Sequence, residues 1–305
     1  MSAREVVASA PAKVNLCLHV GPPRPDGFHS LATVYQAIDL YDEVTVRPAS
    51  RDSVTVAGHG RLAVAEVPTD SSNIALRAAR LLAAHHGIAA AVAIHIAKFI
   101  PVAGGMAGGS ADAAATLVAC DALWGTKTPF EELLALAGEL GSDVPFSLVG
   151  GTALGTGRGE VLTPVLARGR FEWVVAVADG GLSTPAVYAE CDRLRGDAAV
   201  REPRVSDALM AALRAGDADA LGAALHNDLQ DAACSLRPEL LQTLETGAQA
   251  GALGGLVSGS GPSVVFLARG KEHAIDIAVA LSATGTCRSV RRAYGPVAGA
   301  RPVGA

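Results

Sequence analysis

The hydrophobic pattern divides the chain into a β-rich opening, a helical middle and a mixed second half. Residues 6–20 (VVASAPAKVNLCLHV) form an apolar run that reads as a strand. A turn-rich segment follows, GPPRPDGFHS, and then short alternating strands, DEVTVRP and DSVTVAG. From Asn73 to Gly87 apolar residues recur at helical spacing, with Asn73 as candidate N-cap and Gly87 as terminator. Val92, Ile94 and Ile96 alternate as in a half-buried strand, which feeds PVAGGMAGGS at residues 101–110. From Ser110 the sequence ADAAATLVACDALW is rich in helix formers, so the glycine-rich segment lies between a strand and a helix N-terminus. TPFEELLALAGELG reads as a further helix, with Thr128 as cap, Pro129 at the first helical position and Gly141 at the stop.

Past residue 160 the pattern changes to a strand (FEWVVAVA) and then helices (PAVYAECDRLR, SDALMAALRAG, DADALGAALHND, PELLQTLETGAQAG). GLVSGSGPSVVFLA, another helix and a last strand complete it. The chain reads as two α+β lobes, residues 1–160 and 161–305, with the glycine-rich strand and turn at 151–160 crossing between them. REPRVS at 201–206 reads as a surface loop and the tail GPVAGARPVGA as a mobile extension.

Composition narrows the function class. At 305 residues the chain suits two lobes sharing a cleft, the architecture of a two-substrate enzyme. Half the residues are hydrophobic, mostly alanine and valine scattered among charges, and no run reaches the roughly 18–20 apolar residues of a membrane span. The N-terminus carries no secretory pattern, which points to the cytoplasm. Five dispersed cysteines form no CxxC pair, so zinc and redox motifs are disfavoured and buried free thiols expected. A net charge of −5 without a basic run argues against nucleic acid or an anionic membrane as partner. An anionic small molecule would be held locally, by backbone N–H groups and a few cations.

PVAGGMAGGSADAAA, residues 101–115, carries the strongest chemical signal. Gly104, Gly105, Gly108 and Gly109 permit close backbone approach, and a following helix adds free N–H groups and a positive dipole end, a cradle for phosphate. It lacks the Gly-Lys-Ser/Thr of a P-loop and the G-x-G-x-x-G of dinucleotide folds. The competing reading is that these small residues allow tight helix packing. Ser110 reads as the helix N-cap. Asp143 falls just past a helix end, before a proline that disfavours helix at Val144, where it is either a turn residue or a presented carboxylate.

Three segments together resemble the GHMP kinases: PAKVNLCLHV at 11–20, the glycine-rich loop, and GLVSGSGPSVVF at 255–266 with Gly259, Ser260 and Gly261 as a second glycine turn. Within that superfamily the chain is similar to the cytidyl-methylerythritol kinases, on Pro11, Ala12, Lys13 and Asn15, then Asp26-Gly27-Phe28-His29, then Gly141-Ser142-Asp143-Val144-Pro145. The resemblance implies a two-lobe GHMP fold with the active site between an N-terminal ATP-binding lobe and a C-terminal substrate lobe. It implies Asp143 as catalytic base and Lys13 as its partner, where the residues alone leave Lys13 open to being a surface strand lysine. ATP would be bound by Pro101, Val102, Ala103, Gly104, Gly105, Met106, Ala107, Gly108, Gly109, Ser110 and Ala111, with the Ser110 hydroxyl near Mg²⁺.

Phe28, His29 and Tyr188 would hold a pyrimidine by stacking and hydrogen bonding, although Phe28 and Tyr188 also fit ordinary core packing. Asn15 and Thr184 would contact the polyol and phosphate. Phe28 replaces the tyrosine more usual at its position. The implied reaction is phosphorylation of the 2-hydroxyl of 4-diphosphocytidyl-2-C-methyl-D-erythritol, a small-molecule activity compatible with a homodimer. The alternatives are a GHMP kinase acting on homoserine, mevalonate or a sugar, and a catalytically silent ligand sensor on the same fold.

Overall fold

The computed structural model describes residues 5–59, 62–102 and 104–304. In chain order the first elements are β1 (Val6–Pro23), β2 (His29–Ala49), β3 (Ser53–Gly58), α1 (Ile74–His85), β4 (Ala91–Lys98), α2 (Gly108–Trp124), α3 (Phe130–Leu140), α4 (Val144–Val149), β5 (Thr152–Thr156) and β6 (Val161–Pro164). Then come β7 (Phe171–Val177), α5 (Thr184–Arg195), α6 (Asp207–Ala215), α7 (Ala218–Ala224), β8 (His226–Asn227), α8 (Gln230–Leu236) and α9 (Glu239–Gln249). The chain closes with β9 (Gly254–Val257), β10 (Val264–Ala268), α10 (Lys271–Thr284), β11 (Ser289–Gly295) and β12 (Arg301–Pro302).

The first sheet is built on an antiparallel pair, β1 and β2, running from Val6↔Val46 to Pro23↔His29. Where short alternating strands were expected, β2 is one long strand that serves two neighbours. Its second half pairs with β4 and its first half, Thr33–Gln36, with β5. Register shifts after Pro11, Asn15 and Val20 bend β1, and a bulge re-aims the side chains beside it. Lys13 and Asn15 lie between the first two shifts. Helices α1 to α4 contribute to the core around this sheet. α1 starts as the sequence indicates, with the Asn73 side chain accepting from the Ala75 amide, and buries Ala75, Leu76, Ala78, Ala79, Leu82 and Ala83. α2 is buried along much of its circumference, which is why it carries no polar face.

The second sheet is antiparallel, in the order β11-β7-β10-β9. A separate core of Val174, Val264, Phe266, Ile277 and their neighbours packs beside it. The buried Trp173 of β7 donates its indole N–H to Gln36 Oε1 of β2 at 2.9 Å and so ties the two sheets together. Three short strands beyond residue 160 join the first sheet: β6, β8 and β12.

Several expectations change. GTALGTGRGE does not cross between lobes; it forms the β5–β6 hairpin of the first sheet. The α7 helix stops at Ala224, because residues 226–227 are drawn into parallel pairing with Cys17 and Leu18. The tail is docked through the β12–β1 pairing, the Val297 amide to the Ala37 carbonyl and the Ala300 amide to the Ser147 carbonyl. α8 has no side-chain cap and was not visible in the sequence.

Candidate active site

A cleft of about 920 Å³ lies between the glycine-rich loop and α5, from Thr184 to Asp192. Pro101, Val102 and Gly104 to Ser110 line it, as do Lys13, Asn15, Phe28, His29, Asp143, Thr184 and Tyr188. Ala103 lies outside the described residues. Ala111 does not reach the cleft: it is fully buried and its amide bonds the Ala107 carbonyl at 2.9 Å.

Helix α2 begins earlier than the sequence implied. Its N-cap is Ala107, held in a left-handed conformation at φ 59°, without a side-chain cap bond. Ser110 is therefore not the cap. It lies in the first helical turn and lines the cleft, and the Gly108, Gly109 and Ser110 amides are the first-turn donors that an α-helix leaves without an intrahelical partner, at the end where an anion is favoured. The glycines have different reasons. A Cβ on Gly105 would stand 2.1 Å from the Ser258 carbonyl oxygen, so its smallness serves the packing of this loop against the second glycine turn. A Cβ on Gly109 would meet only Ile74 at 3.7 Å, so the fold leaves that position free.

The three motif segments converge here. The Lys13 amide bonds the Met106 carbonyl at 3.2 Å, and Ser258 Oγ donates to the Gly105 carbonyl at 3.2 Å. Gly259 is so close that a Cβ there would lie 3.3 Å from Lys13 Nζ and 3.5 Å from Asn15 Oδ1. Lys13 Nζ is 3.7 Å from Asp143 Oδ2, with the lysine side chain 7% exposed and the aspartate 32%. Lys13 also donates to Asn15 Oδ1 at 2.7 Å, Asn15 donates to Thr33 Oγ1 at 2.7 Å, and Thr33 to the Cys17 carbonyl. Asn15 thus orients Lys13 and also lines the cleft.

Asp143 is the N-cap residue of the short helix α4, with Val144 helical after all and Pro145 in the first turn, where its missing N–H costs nothing. The Asp143 side chain makes no cap bond and remains available to the cleft. Tyr35, which the sequence did not single out, lines the same cleft as Asp143. Burial, and next the Asp143 charge, hold its phenol well above the usual range and so protonated. The β5–β6 hairpin supplies its floor: a Cβ on Gly155 would lie 2.6 Å from the Tyr35 ring and one on Gly159 2.3 Å from its hydroxyl.

Beneath the loop, Lys98 at the end of β4 is buried between Asp42 and Asp112. It reaches Asp112 Oδ2 at 2.7 Å and the Gly108 carbonyl at 3.2 Å. Asp42 Oδ1 meanwhile accepts from the Phe99 and Ile100 amides at 2.6 and 2.9 Å. The ion cluster thereby fixes the exit of β4 to the start of α2. At the opposite end His29 stacks obliquely on Tyr188, centroids 5.1 Å apart, and its Nε2 contacts Asp192 Oδ1 at 3.0 Å. Phe28 is half exposed, with the Arg158 guanidinium 4.8 Å over its ring. Thr184 Oγ1 and Ser260 Oγ are 2.8 Å apart, joining the start of α5 to the second glycine turn.

Comparison with known proteins agrees with this geometry. Residues 73–151 match the GHMP kinases N terminal domain and residues 209–287 the GHMP kinases C terminal domain. The 4-diphosphocytidyl-2-C-methyl-D-erythritol kinase of Thermobifida fusca is 60% identical over 303 residues, covering 98% of both chains. The chain belongs to the GHMP kinase family. A crystal structure of 4-(cytidine 5'-diphospho)-2C-methyl-D-erythritol kinase superposes with a TM-score of 0.75 at 34% identity, over 95% of this chain and 98% of the other. A homoserine kinase from Cytophaga hutchinsonii, 20% identical with a TM-score of 0.73 over 99% and 98% of the two chains, shows the same fold.

As a GHMP kinase the chain is an α+β enzyme that takes ATP and a small-molecule acceptor. Its matched domains contain the glycine loop and Asp143 on one side and α6 to α10 on the other. Among the cleft residues the sequence reading missed are Tyr35, Asp192, Arg158, Lys98 and Asp112. Each acts through a partner far away in sequence, as Asp42 does through Lys98, and no local pattern marks such pairs. No described helix is long and apolar enough to cross a membrane.

Proposed function

We propose that this kinase transfers the γ-phosphoryl group of ATP to the 2-hydroxyl of 4-diphosphocytidyl-2-C-methyl-D-erythritol, a step of the methylerythritol phosphate route to isoprenoid precursors. The observation that carries the reading is the position of the Lys13–Asp143 pair, 3.7 Å apart within one cleft that has the phosphate-type loop and the aromatic residues among its walls. The relatives' names supply the acceptor, and Phe28, His29 and Tyr188 offer the surfaces a cytosine ring would need.

In this reading the amides of Gly108, Gly109 and Ser110 bind the triphosphate. Asp143 orients the acceptor hydroxyl and takes its proton, and Lys13, held by Asn15, balances charge on the moving phosphoryl group. The protonated Tyr35 phenol steadies the Asp143 carboxylate. A loose transition state requires positioning and charge stabilisation more than a strong base. His29, fixed by Asp192, presents its other ring nitrogen to the base edge.

Mg²⁺ would be held by phosphate oxygens and the Ser110 hydroxyl. That hydroxyl is not consumed as a helix cap and belongs to a cleft-lining residue, so as a hard oxygen donor it fits such an ion. When bound, the ion neutralises charge on the phosphates. Five unpaired cysteines fit a reducing cytoplasmic compartment.

Asp143→Asn keeps the shape and removes the proton acceptor, so turnover should fall by on the order of 10²–10⁴-fold while both substrates still bind. Steady-state kinetics with calorimetry checks this, and near-normal turnover refutes the role of Asp143.

A further inference from the structure

Outside the kinase cleft, two imidazoles and a carboxylate meet where β8 pairs with β1. The parallel register Cys17↔His226 and Leu18↔Asn227 brings His19 of β1 beside His226, and their rings stack with centroids 4.8 Å apart. Asp228 follows β8 directly. Its Oδ2 is fixed by the Val20 amide at 2.8 Å and by Arg195 Nη2 at 3.1 Å. Its Oδ1 is thereby turned toward the imidazoles, 2.6 Å from His226 Nε2 and 4.0 Å from His19 Nδ1. The three donor atoms lie within 4.8 Å of one another.

We propose that His19, His226 and Asp228 form a site for a transition-metal ion of the zinc class, distinct from the nucleotide cleft. Donors around a tetrahedral zinc with bonds of about 2.0–2.1 Å stand about 3.4 Å apart. The observed 2.6 and 4.0 Å bracket that spacing, and the His226 side chain, 52% exposed, has room to swing outward. The 4.0 Å separation is beyond hydrogen-bond reach, so His19 faces the carboxylate oxygen without being bonded to it. Oδ2 is held by groups outside the cluster, the support that orients a metal ligand, whereas Oδ1 contacts only the two imidazoles, so a bound ion would replace the 2.6 Å His226–Asp228 hydrogen bond.

A cavity of about 390 Å³ adjoins the cluster and is lined by His226, Asp228, Gln230 and Asp231, which leaves space for a water as fourth ligand. The Arg195 charge opposes a dication there, and Asp231 offsets it. Two nitrogens and one oxygen select zinc, cobalt or nickel over magnesium, so the Mg²⁺ of the kinase reaction does not compete.

The test uses the full chain with any affinity tag removed, in buffer containing Mg²⁺. Titration with Co²⁺ should give one equivalent with tetrahedral d–d absorption and no thiolate-to-metal charge-transfer band, the signature that Cys191, on the same cavity, would produce. Zn²⁺ should displace it. By calorimetry His226→Asn and His19→Asn should each weaken Zn²⁺ binding at least ~10-fold, since losing a ligand costs no less than losing its outer-shell support. The half-exposed His226→Asn variant should keep the wild-type melting temperature and Mg²⁺-supported turnover. Absence of a stoichiometric Co²⁺ site, a thiolate band, or unchanged Zn²⁺ affinity in His226→Asn would each overturn the proposal.

Discussion

Asp42 and Asp112 share one buried lysine with unequal support. Asp42 has two backbone amides besides Lys98, whereas Asp112 has Lys98 alone and its Oδ1 lacks a hydrogen-bond partner among the described residues. Burial pushes the Asp112 carboxyl well above its usual range; Lys98 pulls it back and Asp42 adds to the rise. A carboxyl raised in the folded chain takes up its proton earlier there than in the unfolded chain. Its contribution is therefore greatest below the unfolded value of about 3.9 and is lost as pH rises through the raised folded value. Asp112→Asn mimics the protonated form, so urea unfolding between acidic and alkaline pH should show a shallower loss of stability with rising pH than wild type. Asp42→Asn should instead cost about 3–5 kcal/mol, because it breaks a buried pair that also receives two amides. An unchanged pH slope in Asp112→Asn would contradict this account. None of the cluster was legible in the sequence, since Asp42 is 56 residues from Lys98. Lys13 and Asp143 were legible only because the motifs around them mark a family.

At the scale of elements, local signals marked where helices exist better than how they begin. Asn73 caps α1 as expected, but Ser110 does not cap α2, because the loop turns into the helix through the left-handed Ala107 and starts it at Gly108. The glycine-rich loop was likewise half legible. Gly105 is small because another backbone lies against it, which sequence alone cannot distinguish from closeness to a ligand. Two substitutions separate the cases. Gly105→Ala should lower the melting temperature, since its Cβ would collide with the Ser258 carbonyl and its φ of +72° disfavours any side chain. Gly109→Ala meets only an ordinary contact and replaces a poor helix former, so stability should hold or rise by up to ~1 kcal/mol while ATP binding weakens. Calorimetric melting and nucleotide titration of both variants check this. Unchanged ATP affinity in Gly109→Ala would remove that position from the phosphate cradle.

At the scale of the molecule, the sequence indicated two α+β lobes, but not that the chain returns from the second to complete the first. Short strands such as β12 and β8 are formed by their partners and carry no periodicity of their own. The docked tail gives a direct test. Removing residues 296–305 deletes the β12–β1 pairing and, besides it, four backbone bonds among the described residues, from Gly151 to Val297, Val297 to Ala37, Ala300 to Ser147 and Val303 to Val7. At about 0.5–1.5 kcal/mol each, those four bonds alone should lower stability by roughly 2–6 kcal/mol in denaturant unfolding, whereas a free tail would leave it unchanged.

The acceptor is a property of the whole cleft. Its phosphorylated hydroxyl is remote from the cytosine, so the base can affect turnover only through binding energy that positions the reacting oxygen. The most direct measurement is kcat/KM for ADP release with 4-diphosphocytidyl-2-C-methyl-D-erythritol, methylerythritol 4-phosphate, homoserine and mevalonate side by side. The cytidyl compound should be preferred over the truncated acceptor by at least ~5-fold, the lower end of what one aromatic stacking contact is worth. Equal rates with the truncated acceptor, or faster phosphorylation of homoserine or mevalonate, would contradict the assignment.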